Sequence, residues 1–513
     1  MFPGFDATEM RAPGPSRVLF VSSEVYPLAK TGGLADVSAA LPLSLRLLGV
    51  DIRLMLPGYP QALDLLLDKK VVATFEDLPA GGRLIAGIAP DSGLPVYLYD
   101  SPALYRRGGS LYQDAQGQDW PDNHLRYAGL CHAAARVALG EADSAWRADI
   151  VHANDWHAAL LPAILAARGA TRPATLLTIH NMAFQGNFSI DVAADLQLPL
   201  EMFSTDGMEF FGQISFLKGG IRYADRLTTV SPNYAKEILM PRYGCGLDGA
   251  LRARADDLVG ILNGVDYSVW DPSRDTDLPS QYTTEDLSGK VACKAAIRQE
   301  LGLDASGGPL IVFVNRLTHQ KMADILLSAL PAILKSGVQF VLHGQGDKSL
   351  ESAFAEAAKG HAPQFAARIG YEERFARRLT AAADMSLTAS RFEPCGLTTM
   401  YAMRYGALPV TRHVGGVVDT VVDAESAKAA EEGATGFVFE EETPTAMAAC
   451  VHRATHWFHE RDWSQVQRSA MLRDFGWKRS ADRYLDLYRK LRPAAFAPPA
   501  DARQPPEIDK EAA

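Results

Sequence analysis

Val18-Leu19-Phe20-Val21, followed shortly by Lys30-Thr31-Gly32-Gly33-Leu34-Ala35-Asp36-Val37, decides the fold. The apolar run reads as a buried strand, and Leu34, Val37, Leu41, Leu45 and Leu48 then recur at helical spacing. The pattern is strand, glycine turn, helix. Glycines let a backbone approach a ligand closely, the free N–H groups at a helix start attract negative charge, and Lys30 adds a mobile cation. Phosphate is the natural guest. A second Gly-Gly-x-x-Asp stretch, Gly415-Gly416-Val417-Val418-Asp419, echoes the first and suggests two halves sharing one anionic substrate.

Working outward, short apolar runs alternate with amphipathic stretches: Val18 to Ser22, Ile52 to Leu56, Ile150 to His152, Thr175 to Ile179, Leu227 to Val230 and Val259 to Leu262. Such alternation predicts a parallel, doubly wound α/β sheet with ligands at the carboxyl ends of its strands. Lys30, Asp155, His180, Ser231 and Asn263 all lie at or just after such ends, so separate crossovers aim polar groups at one rim. A turn-rich stretch from Asn263 to Thr284 separates this series from another, opened by Leu310-Ile311-Val312-Phe313-Val314 and continued by Phe340 to Leu342, Met385 to Thr388 and Leu408 to Thr411. The expected organisation is a flexible segment over 1–16, Rossmann-like domains over 17–262 and 263–479 facing each other across a cleft, a helix over 480–492 crossing between them, and a disordered tail over 493–513.

At 513 residues the chain exceeds one compact core, and with 47% hydrophobic and 22% charged residues it reads as globular. A formal charge of -10 with no dense Lys/Arg cluster argues against a nucleic-acid partner. No apolar stretch approaches a membrane span, so no membrane partner is expected. Five cysteines without a Cys-x-x-Cys pair disfavour a disulfide framework and a zinc site, and no signal-peptide pattern opens the chain, which points to the cytoplasm.

Two constellations in the second half carry chemistry. Asn315-Arg316-Leu317-Thr318-His319-Gln320-Lys321 follows a strand, and two cations beside a helix start suit a diphosphate; the competing reading is a pair of solvated surface charges. Ser390-Arg391-Phe392-Glu393-Pro394-Cys395-Gly396-Leu397-Thr398 puts a carboxylate before free helix N–H groups. Glu393 is there either to touch sugar hydroxyls and developing positive charge, or to interact with the helix dipole. In the first half, His152 to His157 and His180-Asn181 offer hydrogen bonds to a sugar, ligation of a metal, or a satisfied buried histidine; no His-x3-His or carboxylate arrangement supports the metal. Gly244-x-Gly246-x-x-Gly249 lacks a preceding strand and Asp275-Thr276-Asp277 lies in the linker, so both read as loop.

Taken together, Lys30 to Val37, His152 to His157, His180-Asn181, Asn263-Gly264-Val265-Asp266, Arg316 to Lys321 and Glu393 to Leu397 resemble the bacterial glycogen synthases and plant starch synthases, retaining glycosyltransferases of the two-domain GT-B architecture. The resemblance runs from about Val18 to Leu491. It implies ADP-glucose as donor, the non-reducing end of glycogen or another α-1,4-glucan as acceptor, and neither metal nor other cofactor. It carries the donor phosphates to Arg316 and Lys321, with Gly32, Gly33 and Lys30 nearby. Asp155, His180, Asn263 and Glu393 would contact the glucosyl unit; Cys395, Gly396, Leu397 and Thr398 would lie along sugar and phosphate. Tyr371 would stack near the adenine, and Tyr112 would also line the site. One departure stands out: the family often has Gly after the lysine, where this chain has Met322-Ala323. The alternatives are a GT-B enzyme using UDP-glucose or another acceptor, and an inactive glucan-binding homologue.

Overall fold

The computed structural model describes residues 16–78, 80–169, 171–426, 428–460 and 463–496. The expected terminal segments 1–16 and 493–513 therefore lie outside the description, apart from Ser16 and a short 3-10 helix at Pro493–Phe496. The described residues group into two compact units. One is drawn from Met1–Thr228, Gly244–Val259 and Lys478–Ala513, the other from Thr229–Tyr243 and Gly260–Trp477. A boundary expected near Asn263 thus has a counterpart at Gly260, but the excursion Thr229–Tyr243 also groups with the second unit.

The strands of the first unit are β1 (Arg17–Val21), β2 (Asp51–Pro57), β3 (Leu67–Phe75), β4 (Gly82–Ile88), β5 (Pro95–Asp100), β6 (Ile150–Asn154) and β7 (Ala174–Ile179). A small antiparallel sheet of β8 (Asn187–Ser189), β9 (Glu209–Phe210) and β10 (Gln213–Ser215) follows, then β11 (Arg226–Thr229) and β12 (Leu258–Gly260). The main sheet runs β12-β11-β7-β6-β1-β2-β5-β4-β3. Its centre is parallel, and β6 and β7 are buried along their whole length, their polar residues His152, Asn154, Thr175 and Thr178 included. Its far end is an antiparallel extension, β5-β4-β3, that the apolar pattern does not foreshadow, because β3 is mostly exposed.

The second unit is a sheet of six parallel strands: β13 (Leu310–Val314), β14 (Gln339–Gly344), β15 (Phe365–Ile369), β16 (Met385–Leu387), β17 (Leu408–Arg412) and β18 (Phe437–Phe439). Their order is β15-β14-β13-β16-β17-β18. Val312, Val341, Phe375, Leu379 and Tyr405 share one core cluster. Within it lies a buried lysine, Lys290, whose Nζ donates to the carbonyls of Ala381 and Tyr405, both at 2.9 Å, where the helices Glu373–Ala382 and Leu397–Arg404 end. Burial lowers its pKa to about 7.

Among the parallel strands of each sheet the direction of winding reverses once, between β1 and β6 in the first unit and between β13 and β16 in the second. Loops leaving the two strands beside such a reversal diverge, and a crevice opens at their carboxyl ends. The polar motifs sit there. The final helix, Trp477–Leu491, packs on the first unit: Tyr488 Oη lies 2.7 Å from His152 Nδ1, and the Tyr484 ring lies 5.5 Å from that imidazole.

Candidate active site

In the first unit, the loop after β1 turns back so that the Glu24 carboxylate lies under the glycine turn. Glu24 Oε2 accepts the N–H of Thr31 at 2.6 Å and of Gly32 at 3.0 Å, while Oε1 accepts the Tyr112 hydroxyl. The backbone donors that the sequence offers to a phosphate are thus already held by a nearly buried acid. Gly32 itself remains open: a Cβ built on it meets nothing within 4 Å. Gly33 begins the helix, and Lys30 Nζ reaches Asp36 Oδ1 at 2.8 Å.

Tyr112 connects this loop to the next crossover, since its ring stacks on His157 at 4.6 Å. At the end of β6, Asp155 adopts φ 57°, a left-handed backbone that aims its carboxylate across to β7. Asp155 Oδ1 accepts the N–H of His180 at 2.9 Å and of Asn181 at 3.4 Å, and His180 Nε2 sits 3.0 Å from Asn154 Oδ1. Burial lifts the Asp155 pKa to about 7 against those two N–H donors, with the charge of Glu24 adding to the rise. Burial also lowers His180 and His152 to about 3, so both imidazoles are neutral. Gly32 and Tyr112 thus gather on Glu24 and Lys30 on Asp36, while Asp155 and His180 bond each other at the ends of β6 and β7, the Tyr112–His157 stack joining the two groups.

In the second unit, the loop after β13 carries Arg316 and Lys321 and the loop after β16 carries Glu393. Lys321 Nζ bonds Glu393 Oε2 directly, and Ser390 Oγ donates to the same oxygen at 2.8 Å; both charged side chains are about nine-tenths buried, at 11% exposure each. A buried ion pair with a further donor is held tightly, because losing either partner strands the other charge. Arg316 is exposed and lies 3.4 Å from Gln320 Oε1. The helix Leu397–Arg404 opens just beyond Glu393, with Gly396 as its N-cap at φ 81° and Leu397 and Thr398 half-buried in its first turn. Asn263 joins this group by donating its backbone and side-chain amides to Cys395 Sγ, while its Oδ1 is buried without a hydrogen-bond partner. Tyr371 stands apart, stacked on His343 at 6.0 Å near the ends of β14 and β15.

One expectation changes. The echo Gly415-Gly416 is filled by protein, since a Cβ on Gly415 would lie 1.8 Å from the Glu393 carbonyl oxygen and one on Gly416 2.2 Å from that of Cys395. Its N–H groups go to Glu237 Oε1 and the Glu393 carbonyl, both at 2.9 Å, so this turn buttresses the Glu393 loop and offers nothing to a substrate. Met322 occupies φ 50° with its side chain fully buried, which explains why glycine suits that position: a left-handed backbone costs other residues about 1 kcal/mol. Asp275 and Asp277 are engaged by Arg377 and Arg374, as befits a loop. Glu24, which binds the glycine turn and Tyr112, is the group of this cluster that motif reading missed. Its signal was available in Ser22-Ser23-Glu24, polar residues directly at a strand end.

Comparison with known proteins follows the same division. A starch synthase catalytic domain model matches residues 17–253, and a glycosyl transferases group 1 model matches residues 308–456. A glycogen synthase from Burkholderia thailandensis is 52% identical over 93% of this chain and 90% of its own length. One from Paramagnetospirillum magneticum is 50% identical over 93% of this chain and 97% of its own. Among solved structures, the catalytic domain of starch synthase IV from Arabidopsis thaliana, bound to ADP and acarbose, superposes with a TM-score of 0.84 at 29% identity, covering 93% of this chain and 99% of that one.

Proposed function

Because this chain belongs to the glycogen synthase family of glycosyltransferases with the GT-B fold, we propose that it transfers glucose from ADP-glucose to the non-reducing 4-hydroxyl of an α-1,4-glucan with retention of configuration. The observation that carries this reading is the Lys321–Glu393 pair, set at the winding reversal of a parallel sheet and against the start of a helix. ADP as the base-bearing half of the donor is supported by the ADP-bound starch synthase relative. The cytoplasm is the compartment that fits this role. No helix among the described residues is long and apolar enough to cross a membrane.

Breaking the anomeric carbon–oxygen bond builds negative charge on the departing diphosphate and positive charge on the ring. Arg316, the remaining N–H groups of Lys321 and the open N–H groups of Leu397 and Thr398 stabilise the first. Glu393, bonded to Lys321, stabilises the second. The sugar is oriented by groups of the first unit: His180, neutral and anchored on Asn154, and Asp155, anchored on two backbone donors. Asn263 Oδ1 supplies an acceptor for a sugar hydroxyl, and Tyr371 a face for adenine. In this route the acceptor attacks from the leaving-group side, and a phosphate oxygen takes the proton of its 4-hydroxyl.

The test is incorporation of label into glycogen from ADP-glucose, run beside UDP-glucose. ADP-glucose should be the better donor. Lys321→Ala should lower kcat/KM about 10³-fold. It should also lower stability, because Glu393 is left unpaired. No chain growth from either donor would sink the reading, and turnover from UDP-glucose alone would reassign the base.

A further inference from the structure

The antiparallel end of the first sheet carries a cavity of about 570 Å³ that the transfer reaction does not use. Its wall includes Lys69, Arg83, Arg106 and Arg107 against Asp64 and Asp100, a positive excess in a chain whose formal charge is -10. The arrangement is built around Asp100, the last residue of β5, which is fully buried. Arg83 Nη2 donates to its Oδ2 at 2.6 Å, and Arg106 Nη2 approaches the same oxygen at 3.3 Å from the opposite segment of chain. One carboxylate thus fixes two guanidinium groups that stay about half exposed, at 46% and 49%. Arg107 is pinned by two bonds to Asp122 at 2.8 and 2.9 Å, and Lys69 by the Leu63 carbonyl at 2.7 Å.

A guanidinium presents five N–H donors in a rigid fork, and Asp100 engages only one edge of each. Arg83, Arg106 and Arg107 line the cavity with side chains already held by these bonds, so an oxyanion there gains charge-assisted hydrogen bonds without the usual ordering cost. The volume lies in the range of small-molecule sites. No aromatic side chain lines it, so neither a nucleotide base nor the flat face of a glucosyl ring finds a stacking surface.

We propose that this cavity is a binding site for a phosphate monoester on a small non-aromatic skeleton, separate from the donor site. The site sits on the chain segment that leads from Arg106 through Ser110 to Tyr112, whose hydroxyl meets Glu24.

Calorimetric titration of the whole protein with glycerol 3-phosphate tests this, with inorganic phosphate, citrate and maltotriose as comparison arms. Saturable binding of glycerol 3-phosphate is expected. It should persist in Arg316→Ala Lys321→Ala, and weaken at least about tenfold in Arg83→Gln Arg106→Gln Asp100→Asn, which removes the cations and the buried acid together so that no unpaired charge stays behind. Arg107→Gln, which leaves Asp100 and its partners intact, should weaken binding by a smaller factor. Binding of citrate alone, of maltotriose alone, or equal binding of glycerol 3-phosphate by wild type and the triple variant would overturn the proposal, as would no binding at all.

Discussion

The turn at Gly32 and the turn at Gly415 share a sequence pattern and one contact, a glutamate accepting a turn glycine's N–H, from Glu24 in one case and Glu237 in the other. They differ in what lies on the Cβ side: open space above Gly32, and the backbone of the Glu393 loop against Gly415 and Gly416. Their aspartates differ too. Asp36 pairs with Lys30, whereas Asp419 accepts Ser231 Oγ–H at 2.6 Å and the Asn233 N–H at 2.9 Å, fastening the excursion Thr229–Tyr243 to its own unit. The lesson is that glycine admits close approach without specifying the visitor. In one turn the room is left open; in the other the protein has used it itself.

The largest effect is expected where the room is filled. Gly415→Ala adds a methyl at 1.8 Å from a carbonyl oxygen on a backbone at φ 56°, and should cost about 4 kcal/mol or more, leaving little folded protein by circular dichroism. A soluble, active variant would show that the Glu393 loop yields easily.

The next effect separates the neutral cluster near the open turn from the charged pair near the filled one. Asp155 rises from 3.8 to about 7 on folding, so the folded state holds a proton that the unfolded chain has lost, and this group's contribution to stability fades as pH climbs between those values. His152 and His180 fall from 6.5 to about 3, so theirs is present above 6.5 and fades as pH drops toward 3. Between pH 4 and 6.5 the two histidines outweigh the one acid, and these three groups make stability rise by about 1.4 kcal/mol per pH unit. Asp155→Asn should double that slope, and should stabilise the protein relative to wild type at pH 8. Urea unfolding across the pH range reads both, and an unchanged slope would mean Asp155 stays ionised.

The smallest effect on stability falls on the open turn. Gly32 has an extended backbone, φ -150° and ψ -163°, and space for a methyl, so Gly32→Ala should change stability by no more than about 1 kcal/mol. Its KM for the donor should nevertheless rise about tenfold, the loss of one close backbone contact. An unchanged KM would mean that no ligand approaches there.

Local pattern carried most of the fold. Leu310–Val314 is legible residue for residue because a strand buried on both faces must be apolar throughout. Leu67–Phe75 was not, since it opens Leu67-Asp68-Lys69-Lys70 and lies exposed beside a single antiparallel neighbour, where polar side chains are tolerated. The same limit applies to the candidate site. Lys321 and Glu393 could be placed from strand ends, but that they bond each other depends on β13 and β16 being neighbours, a tertiary fact. The filling of the second glycine turn is likewise invisible in five letters of sequence, because the atoms that fill it come from residues more than a helix away.

The Tyr488 contact with His152 sets a condition on how this molecule is made. The imidazole sits on β6 in the first unit's sheet, yet its hydroxyl partner is separated from it by 336 positions of chain. A ribosome therefore exposes that sheet, its strands already made, while the intervening unit is synthesised, and only release of the last helix supplies the partner of His152. A premature stop codon anywhere before Tyr484 would yield a protein whose beginning, and not only its end, is incomplete.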